Sequence, residues 1–382
     1  MALTQLECGL CGKAHDADTL QTMCTECKGS LLARYNLPMM KKNGSREQFE
    51  QGPSNMWRFA SLLPVRKGEN KFTLGEGMTP MLRVDRLAKE VGLRNVWVKD
   101  EGLNPTGTFK ARGLCMAVAK GVELGATKFA IPTAGNAGVA LAAYAARAGA
   151  TAKVFVPKDA PPRVIDNMVG LGAEVTTVSG LISDAGKACA EYVKSTPGTL
   201  DVSTLKEPYR AEGKKTMGLE LALHFDWGAP DVVVYPTGGG TGLIGIHKAY
   251  QELHALGWAT GNWPKLIVVQ AEGCAPVVKA LDTGADVIEP WVNARTKAAG
   301  LRVPKPYADK LVLRAVRATN GTGVSVSELE IDSGVKTLAK AGILAAPEGG
   351  AAWAGMAKLV RQGRIRSDER VVVFNTGSAL AY

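Results

Sequence analysis

Beyond about residue 70 the chain alternates two kinds of hydrophobic pattern. Short runs rich in β-branched residues, "NVWVKD", "KFAIP", "AKVFVP", "AEVTTV", "DVVVYP", "KLIVVQ" and "RVVVFN", read as strands. Between them, "AGVALAAYAARAGA", "SDAGKACAEYVKS" and "SELEIDSGVKTLAKAG" carry apolar positions at helical spacing. Several strand runs are apolar without alternation, so both their faces must meet other protein. That is the condition of a parallel sheet covered by helices. An α/β fold is predicted, with no internal repeat or low-complexity tract.

Ahead of this region the pattern differs. Residues 1–35 hold too little apolar sequence for a core of their own. Residues 36–70 are rich in Lys, Asn, Gly, Ser and Pro around one apolar patch, "MWRFASLLP". The first segment compensates with cysteine: Cys8, Cys11, Cys24 and Cys27 follow C-x2-C-x12-C-x2-C. Two tight turns offering two thiolates each can close a tetrahedral zinc site and hold such a segment together. A zinc ribbon is predicted over 1–35, with one structural Zn on those four thiols, and a connecting arm over 36–70. A ribbon that keeps its cysteines without metal, or a pair of redox dithiols, is the alternative. Cys115, Cys189 and Cys274 stand alone in apolar surroundings and read as small buried hydrophobes.

Composition narrows the function classes. A chain of 382 residues exceeds one ordinary core, so two or more domains are expected. Hydrophobic residues at 46% and charged residues at 21% describe an ordinary globular chain. No apolar run reaches membrane-spanning length, and the N-terminus lacks a basic region followed by an apolar block. A cytoplasmic enzyme without membrane contact is expected. The net charge of +10 comes from scattered basic residues that do not alternate with stacking aromatics. Phosphorylated small molecules therefore suit it better than nucleic acid, and no nucleic-acid partner is expected.

Candidate chemistry lies in turns at strand ends, where open α/β sheets bind ligands. Strand "KFAIP" runs through Thr133-Ala134-Gly135-Asn136 into a helix beginning near Ala137. Strand "DVVVYP" runs through the turn from Thr237 to Gly242 into another helix, and "RVVVFN" runs into Thr376-Gly377-Ser378. The "TGGGTG" turn offers successive bare N–H groups and a helix N-terminus to one anion; a turn that only needs glycines is the other reading. It is neither a Walker P-loop, lacking Gly-Lys-Ser/Thr, nor a dinucleotide fingerprint. Upstream, "EGLNPTGTFKARGL" sets Lys110 after a small-residue turn and ahead of a helix-like run. Singly, Asn136 could be a helix cap, Arg210 a surface charge and Thr376 a hydroxyl bonded to nearby backbone.

Taken in order, these stretches resemble the fold-type II pyridoxal-phosphate enzymes, and within them the threonine synthases. "TLGEGMTPMLR" resembles the entry segment, "NPTGTFKARG" the lysine motif, "PTAGNAG" the S-x-G-N loop, "PYRAEGKKT" the substrate-phosphate segment and "VFNTGSAL" the terminal T-G motif. The four-cysteine head and "MWRFASLLP" resemble the N-terminal extension of one threonine synthase branch.

The resemblance implies two doubly wound domains with parallel-rich sheets plus the small ribbon. The large domain would comprise 71–115 and 212–382, and the small α/β domain 116–211. It implies pyridoxal 5'-phosphate as cofactor and Lys110 as the Schiff-base lysine and proton carrier. Gly238, Gly239, Gly240 and Thr241 would hold the cofactor phosphate, Asn136 its phenolic oxygen and Thr376 its ring nitrogen. A neutral Thr376 hydroxyl leaves the ring a weaker electron sink than Asp would, which favours elimination or replacement over transamination. Thr133, Ala134, Gly135 and Ala137 would hold the substrate α-carboxylate, and Arg210 a substrate phosphate. A phosphorylated amino acid is the implied substrate, and a homodimer is expected.

Six positions in four segments depart from the usual threonine synthase pattern: Ala111 for Asp in the lysine motif, Ala134 for Thr, Thr204-Leu205 for Asn-Ser, and Ala381-Tyr382 for Lys-Asp after Leu380. "FKARG" also resembles the serine/threonine dehydratases. A β-replacing synthase such as cysteate synthase, a serine/threonine ammonia-lyase, and a zinc-ribbon binding protein with a degenerate catalytic domain therefore remain alternatives to O-phospho-L-homoserine hydrolysis to threonine.

Overall fold

The computed structural model describes residues 3–180 and 182–381. Two compact units divide the chain, each discontinuous in sequence: Met1–Met78 with Lys110–Thr216, and Thr79–Phe109 with Met217–Tyr382. The divisions thus fall at 78/79, 109/110 and 216/217, and the cysteine-rich head belongs to the first unit instead of standing alone.

The second unit is built on six strands: β4 (Met81–Arg83), β5 (Asn95–Asp100), β10 (Val232–Pro236), β11 (Lys265–Ala271), β12 (Thr322–Val326) and β13 (Arg370–Asn375). Their order is β12-β11-β10-β13-β5-β4, parallel except for the antiparallel edge pair β4–β5. The strands expected to be covered on both faces are so covered: every residue of β10 is buried, as is all of β13 after Arg370. On one face Val96, Val98, Val232, Val234, Ile267, Val269, Val371 and Val373 pack with Trp353, Met356 and Leu359 of the helix Pro347–Arg361. Each such side chain contributes about 1.5–3 kcal/mol on burial.

The first unit holds a four-stranded parallel sheet in the order β8-β7-β6-β9, from β6 (Lys128–Pro132), β7 (Thr151–Pro157), β8 (Glu174–Val178) and β9 (Thr199–Asp201). The head adds a small antiparallel sheet, β2-β1-β3, from β1 (Leu3–Cys8), β2 (Ala14–His15) and β3 (Leu31–Tyr35). The apolar patch in residues 36–70 packs into the first unit. Met56, Trp57, Phe59 and Leu62 are buried, and the Met56 N–H donates to the Glu76 carbonyl at 2.8 Å. The fully buried Glu76 carboxylate in turn accepts from Tyr144 Oη at 2.7 Å and from the Leu74 N–H.

Candidate cofactor and substrate sites

In the second unit, the strand register brings three sequence-predicted segments to one sheet edge. β10 and β13 are paired through Val234 and Val373, and β13 and β5 through Asn375 and Asp100. The turns that follow these three strands are therefore neighbours at their carboxyl ends, where parallel sheets bind ligands. One carries Thr237 to Thr241, the next Thr376 and Gly377, and the third leads to Phe109.

The glycine turn is shaped for backbone donors. Gly240 caps the helix Thr241–Leu256 in the left-handed region, φ +77°, and no side chain caps that terminus. The first N–H groups of such a helix have no partners within it, and here Thr241 and Gly242 are buried. A Cβ on Gly238 would stand 2.1 Å from the Gly300 carbonyl oxygen, and one on Gly240 2.2 Å from Val312 Cγ2. Only glycine allows this path, so the glycines serve the turn as well as any ligand. Gln270, fully buried, steadies the turn: its Nε2 donates to the Thr237 carbonyl, and its Oε1 accepts from Val277 and Val278 N–H. An uncapped, buried helix N-terminus of bare amides fits a phosphate, so the cradle fits the cofactor implied by the sequence.

The segment before Lys110 is fixed on the same edge. Asn104-Pro105-Thr106-Gly107 closes a turn, with Gly107 N–H donating to the Asn104 carbonyl and Gly107 at φ +70°. Thr108 then bridges to Gly377, Ser378 N–H donates to Gly107, and Phe109 N–H donates to the Thr376 carbonyl at 3.1 Å. Buried polar groups brace this turn: Glu101 accepts from Thr79 Oγ1 and Asn104 Nδ2, and Lys99 Nζ reaches Glu220 at 2.6 Å. Asn375 Nδ2 donates to Asp100 Oδ1 at 2.8 Å. Burial pushes the Asp100 carboxyl above its ordinary value, against the donors Asn375 and Gly102.

Lys110 opens the first unit's helix Lys110–Glu123, and Arg210 lies in the first turn of the helix Tyr209–His224. These two helices meet backbone to backbone. A Cβ on Gly213 would lie 2.1 Å from the Arg112 carbonyl oxygen, and one on Gly113 3.1 Å from that of Arg210. Arg112 Nη1 donates to Thr216 Oγ1 across this contact at 2.8 Å. The "ARG" and "AEGKK" stretches thus supply the small residues that let Lys110, Arg210 and Lys214 come into one neighbourhood. Lys214 is buried, its Cε 3.2 Å from where a Gly113 Cβ would be. Its amine is held well below the ordinary lysine value by burial, with Arg210 and Lys110 adding to the effect.

Arg210 is 1% exposed. Its Nη1 donates to the Val202 carbonyl at 2.6 Å, while Nε and Nη2 are buried without a hydrogen-bond partner. The carboxylate of Glu207 is turned to the main chain, accepting from the Tyr209 and Arg210 N–H groups. Burial pushes Glu207 up to about 7, so it offsets the guanidinium charge only in part. A buried guanidinium with two donors unpaired has the charge and geometry that suit an anion.

In the same unit, Thr133 to Gly135 connect β6 to the helix Asn136–Arg147, whose terminus is again uncapped by any side chain. Thr133 Oγ1 accepts from the Gly135 N–H at 3.2 Å, and the space beside Gly135 is open. Asn136 and Ala137 are thus the first residues of a helix with donors to spare, which suits a carboxylate.

In the head, the thiol sulfurs of Cys8, Cys11, Cys24 and Cys27 all lie within 4.8 Å of one another, with neighbouring pairs at 3.4–3.6 Å. Zn–S bonds of about 2.3 Å require a tetrahedron edge near ~3.8 Å, so the four thiols fit one zinc with no open position. The Cys27 N–H, with His15 and the Glu26 N–H, holds the Cys24 thiol down at about 6, while the neighbouring thiols push Cys11 up to about 12.

Sequence reading missed the supports: Glu101, Asn104, Asp100, Asn375, Gln270 and Glu207. Their one signal was a polar residue directly ending an apolar strand, as in "NVWVKDEGLN" and "VVVFNTG".

The pyridoxal-phosphate dependent enzyme family matches residues 72–377. A threonine synthase of Methanosarcina acetivorans is 37% identical over 378 residues, spanning 98% of this chain and 91% of that protein. One of Methanocaldococcus jannaschii is 34% identical over 376 residues, spanning 98% and 92%. Among solved structures, maize serine racemase matches with a TM-score of 0.67 at 19% identity, covering 78% of this chain and 88% of that one. That last likeness is one of fold alone.

Proposed function

We propose a division of labour among the side chains of a chain that belongs to the threonine synthase family of pyridoxal-phosphate dependent enzymes. It is a PLP-dependent lyase of fold type II, and its reaction is threonine synthesis. The reaction we assign is O-phospho-L-homoserine and water to L-threonine and phosphate. Pyridoxal phosphate, when bound, supplies the conjugated ring that stabilises carbanionic charge on substrate carbons.

Gly238, Gly239, Gly240 and Thr241 hold the cofactor phosphate by main-chain donors. Thr376 would offer a neutral hydroxyl to the ring nitrogen, and Asn136 an amide to the phenolic oxygen. Thr133, Ala134, Gly135 and Ala137 take the substrate α-carboxylate at a helix N-terminus. Lys110 would hold the cofactor, and its Nζ would be the group that removes and returns protons on the substrate. Arg210 takes the substrate phosphate, with Lys214 beside it able to accept a proton when an anion arrives.

The observation that carries the substrate assignment is the buried Arg210 guanidinium, with Nε and Nη2 idle. A substrate bearing only a hydroxyl would leave that fork unpaired, whereas a phosphate matches it. The test is turnover of O-phospho-L-homoserine, phosphoserine, serine and threonine by the parent and by Arg210→Leu. The variant should raise the phosphohomoserine KM about ten- to hundredfold, the loss of a charged hydrogen bond worth about 1.5–3 kcal/mol, with cofactor absorbance unchanged. A parent that converts only serine or threonine, or a variant with unchanged KM, rejects the assignment.

A further inference from the structure

The head is attached to the part of the first unit that carries Arg210. Ser30, 2% exposed, donates its hydroxyl to the Leu205 carbonyl at 2.6 Å, although 175 positions separate them. Ser30 is itself stitched into the cysteine turns: its carbonyl accepts from the Gly9 N–H, next to Cys8, and it bridges to Met23, next to Cys24. From the end of β3, Tyr35 Oη donates to Glu212 Oε2 at 2.5 Å. The same carboxylate oxygen accepts from Lys215 Nζ at 2.6 Å, and that ammonium lies over the Tyr35 ring at 4.2 Å.

These two attachments bracket the Arg210 cradle. Ser203 to Lys206 form a turn, the Lys206 N–H donating to the Ser203 carbonyl. Leu205 occupies its third position at φ +61°, a backbone region that turns ordinarily give to glycine. Leu205 is 1% exposed, and Ser30 holds its carbonyl. Immediately before this turn Val202 accepts from Arg210 Nη1; immediately after it Glu207 accepts from the Tyr209 and Arg210 N–H groups. Glu212 lies in the first turn of the Arg210 helix, one residue short of the Gly213 contact with the Lys110 helix. A strained turn and a buried carboxylate, one on each side of Arg210, are thus both tied to the head.

We propose that the four-cysteine head is a positioning device for substrate-phosphate binding, acting through Ser30 on the Leu205 turn and through Tyr35 on Glu212. Ser30 and Tyr35 are positioning residues: they touch neither cofactor nor substrate and act by holding the Arg210 fork in place. The proposal rests on the assignment of Arg210 to the substrate phosphate. It predicts that disturbing the head changes anion recognition and leaves the proton transfers alone.

The test measures KM and kcat for O-phospho-L-homoserine, and the inhibition constant of inorganic phosphate, in the full-length holoenzyme. Ser30→Ala and Tyr35→Phe each remove one hydroxyl and should raise KM and the phosphate inhibition constant together, about two- to tenfold each. The double variant should show about the product. The kcat should stay within about twofold, and zinc content and cofactor absorbance should match the parent. Ser30→Thr restores the hydroxyl and should restore KM. A merely structural role would lower kcat, metal content and cofactor occupancy in step and would not move KM alone. Unchanged KM and phosphate inhibition in the double variant, with Arg210→Leu still raising KM, overturns the positioning role while Arg210 keeps its own. Unchanged KM in Arg210→Leu overturns the Arg210 assignment, and this proposal with it.

Discussion

Two places in this molecule offer donors that suit a phosphate, and they are made of different material. The turn Thr237–Thr241 uses main chain: bare amides, a left-handed glycine and an uncapped helix end. The Arg210 cradle uses one buried side chain with two idle donors, set by a loop, a half-neutralised Glu207 and contacts from the cysteine head. A main-chain cradle carries no ionisable group of its own. A side-chain cradle supplies full charge and a directional fork, but its geometry is only as good as whatever holds it. That division suits a cofactor that stays and a substrate phosphate that must leave.

The largest effect should come from a change that leaves both cradles intact. Lys110→Ala should lower turnover by about 10²–10⁴-fold and abolish the visible absorbance of the lysine-bound cofactor, while inorganic phosphate still binds. Absorbance and turnover close to the parent's would remove Lys110 from the chemistry.

Gly238→Ala separates the cradles from the main-chain side. The added methyl meets the Gly300 carbonyl at 2.1 Å, and overpacking of about 1–3 kcal/mol should appear as roughly a five- to hundredfold loss of cofactor affinity. In the fully loaded variant, the substrate KM should stay near the parent's. A KM that rises as steeply as the cofactor dissociation constant would mean that the two cradles are not independent.

Metal content probes what the side-chain cradle leans on. One zinc per chain is expected on Cys8, Cys11, Cys24 and Cys27, and Cys11→Ser should lower the zinc stoichiometry and the unfolding temperature. Elemental analysis that finds no metal in freshly reduced parent protein argues instead for a metal-free ribbon.

The smallest effect is on pH dependence. Glu207 sits near 7 in the folded protein because of burial, above its ordinary 4.5. Between those values the folded state binds a proton that the unfolded chain has lost, so this group's contribution to stability falls as pH rises through the window. Ionisation above about 7 also places a full negative charge beside Arg210, so KM for the phosphorylated substrate should rise a few-fold there. Glu207→Gln should flatten both slopes. Identical KM–pH profiles for parent and variant would show that the carboxylate does not tune the fork.

The main-chain cradle could be found in the sequence because its requirements are local. "DVVVYPTGGGTG" states the strand, the turn and the helix start in consecutive residues, and "NPTGTFK" likewise states the turn that precedes Lys110. The four cysteines announced themselves by spacing. By contrast, nothing local marks Ser30 as the partner of Leu205, or Glu101, Asn375 and Gln270 as braces of the turns. Each makes its decisive bond to a residue distant in the chain or on a neighbouring strand.

What the sequence determined by itself is the α/β pattern and the cofactor class. Both follow from periodicity, turn chemistry and short motifs that act over a few residues. Only the tertiary structure decided that Arg210 is buried with an unfilled fork, that Glu207 titrates near neutrality, and that the cysteine head bears on the loop beside them. The physical reason is that burial, desolvation and long-range hydrogen bonds depend on which surfaces meet, and an arginine reads the same in sequence whether it faces water or the interior.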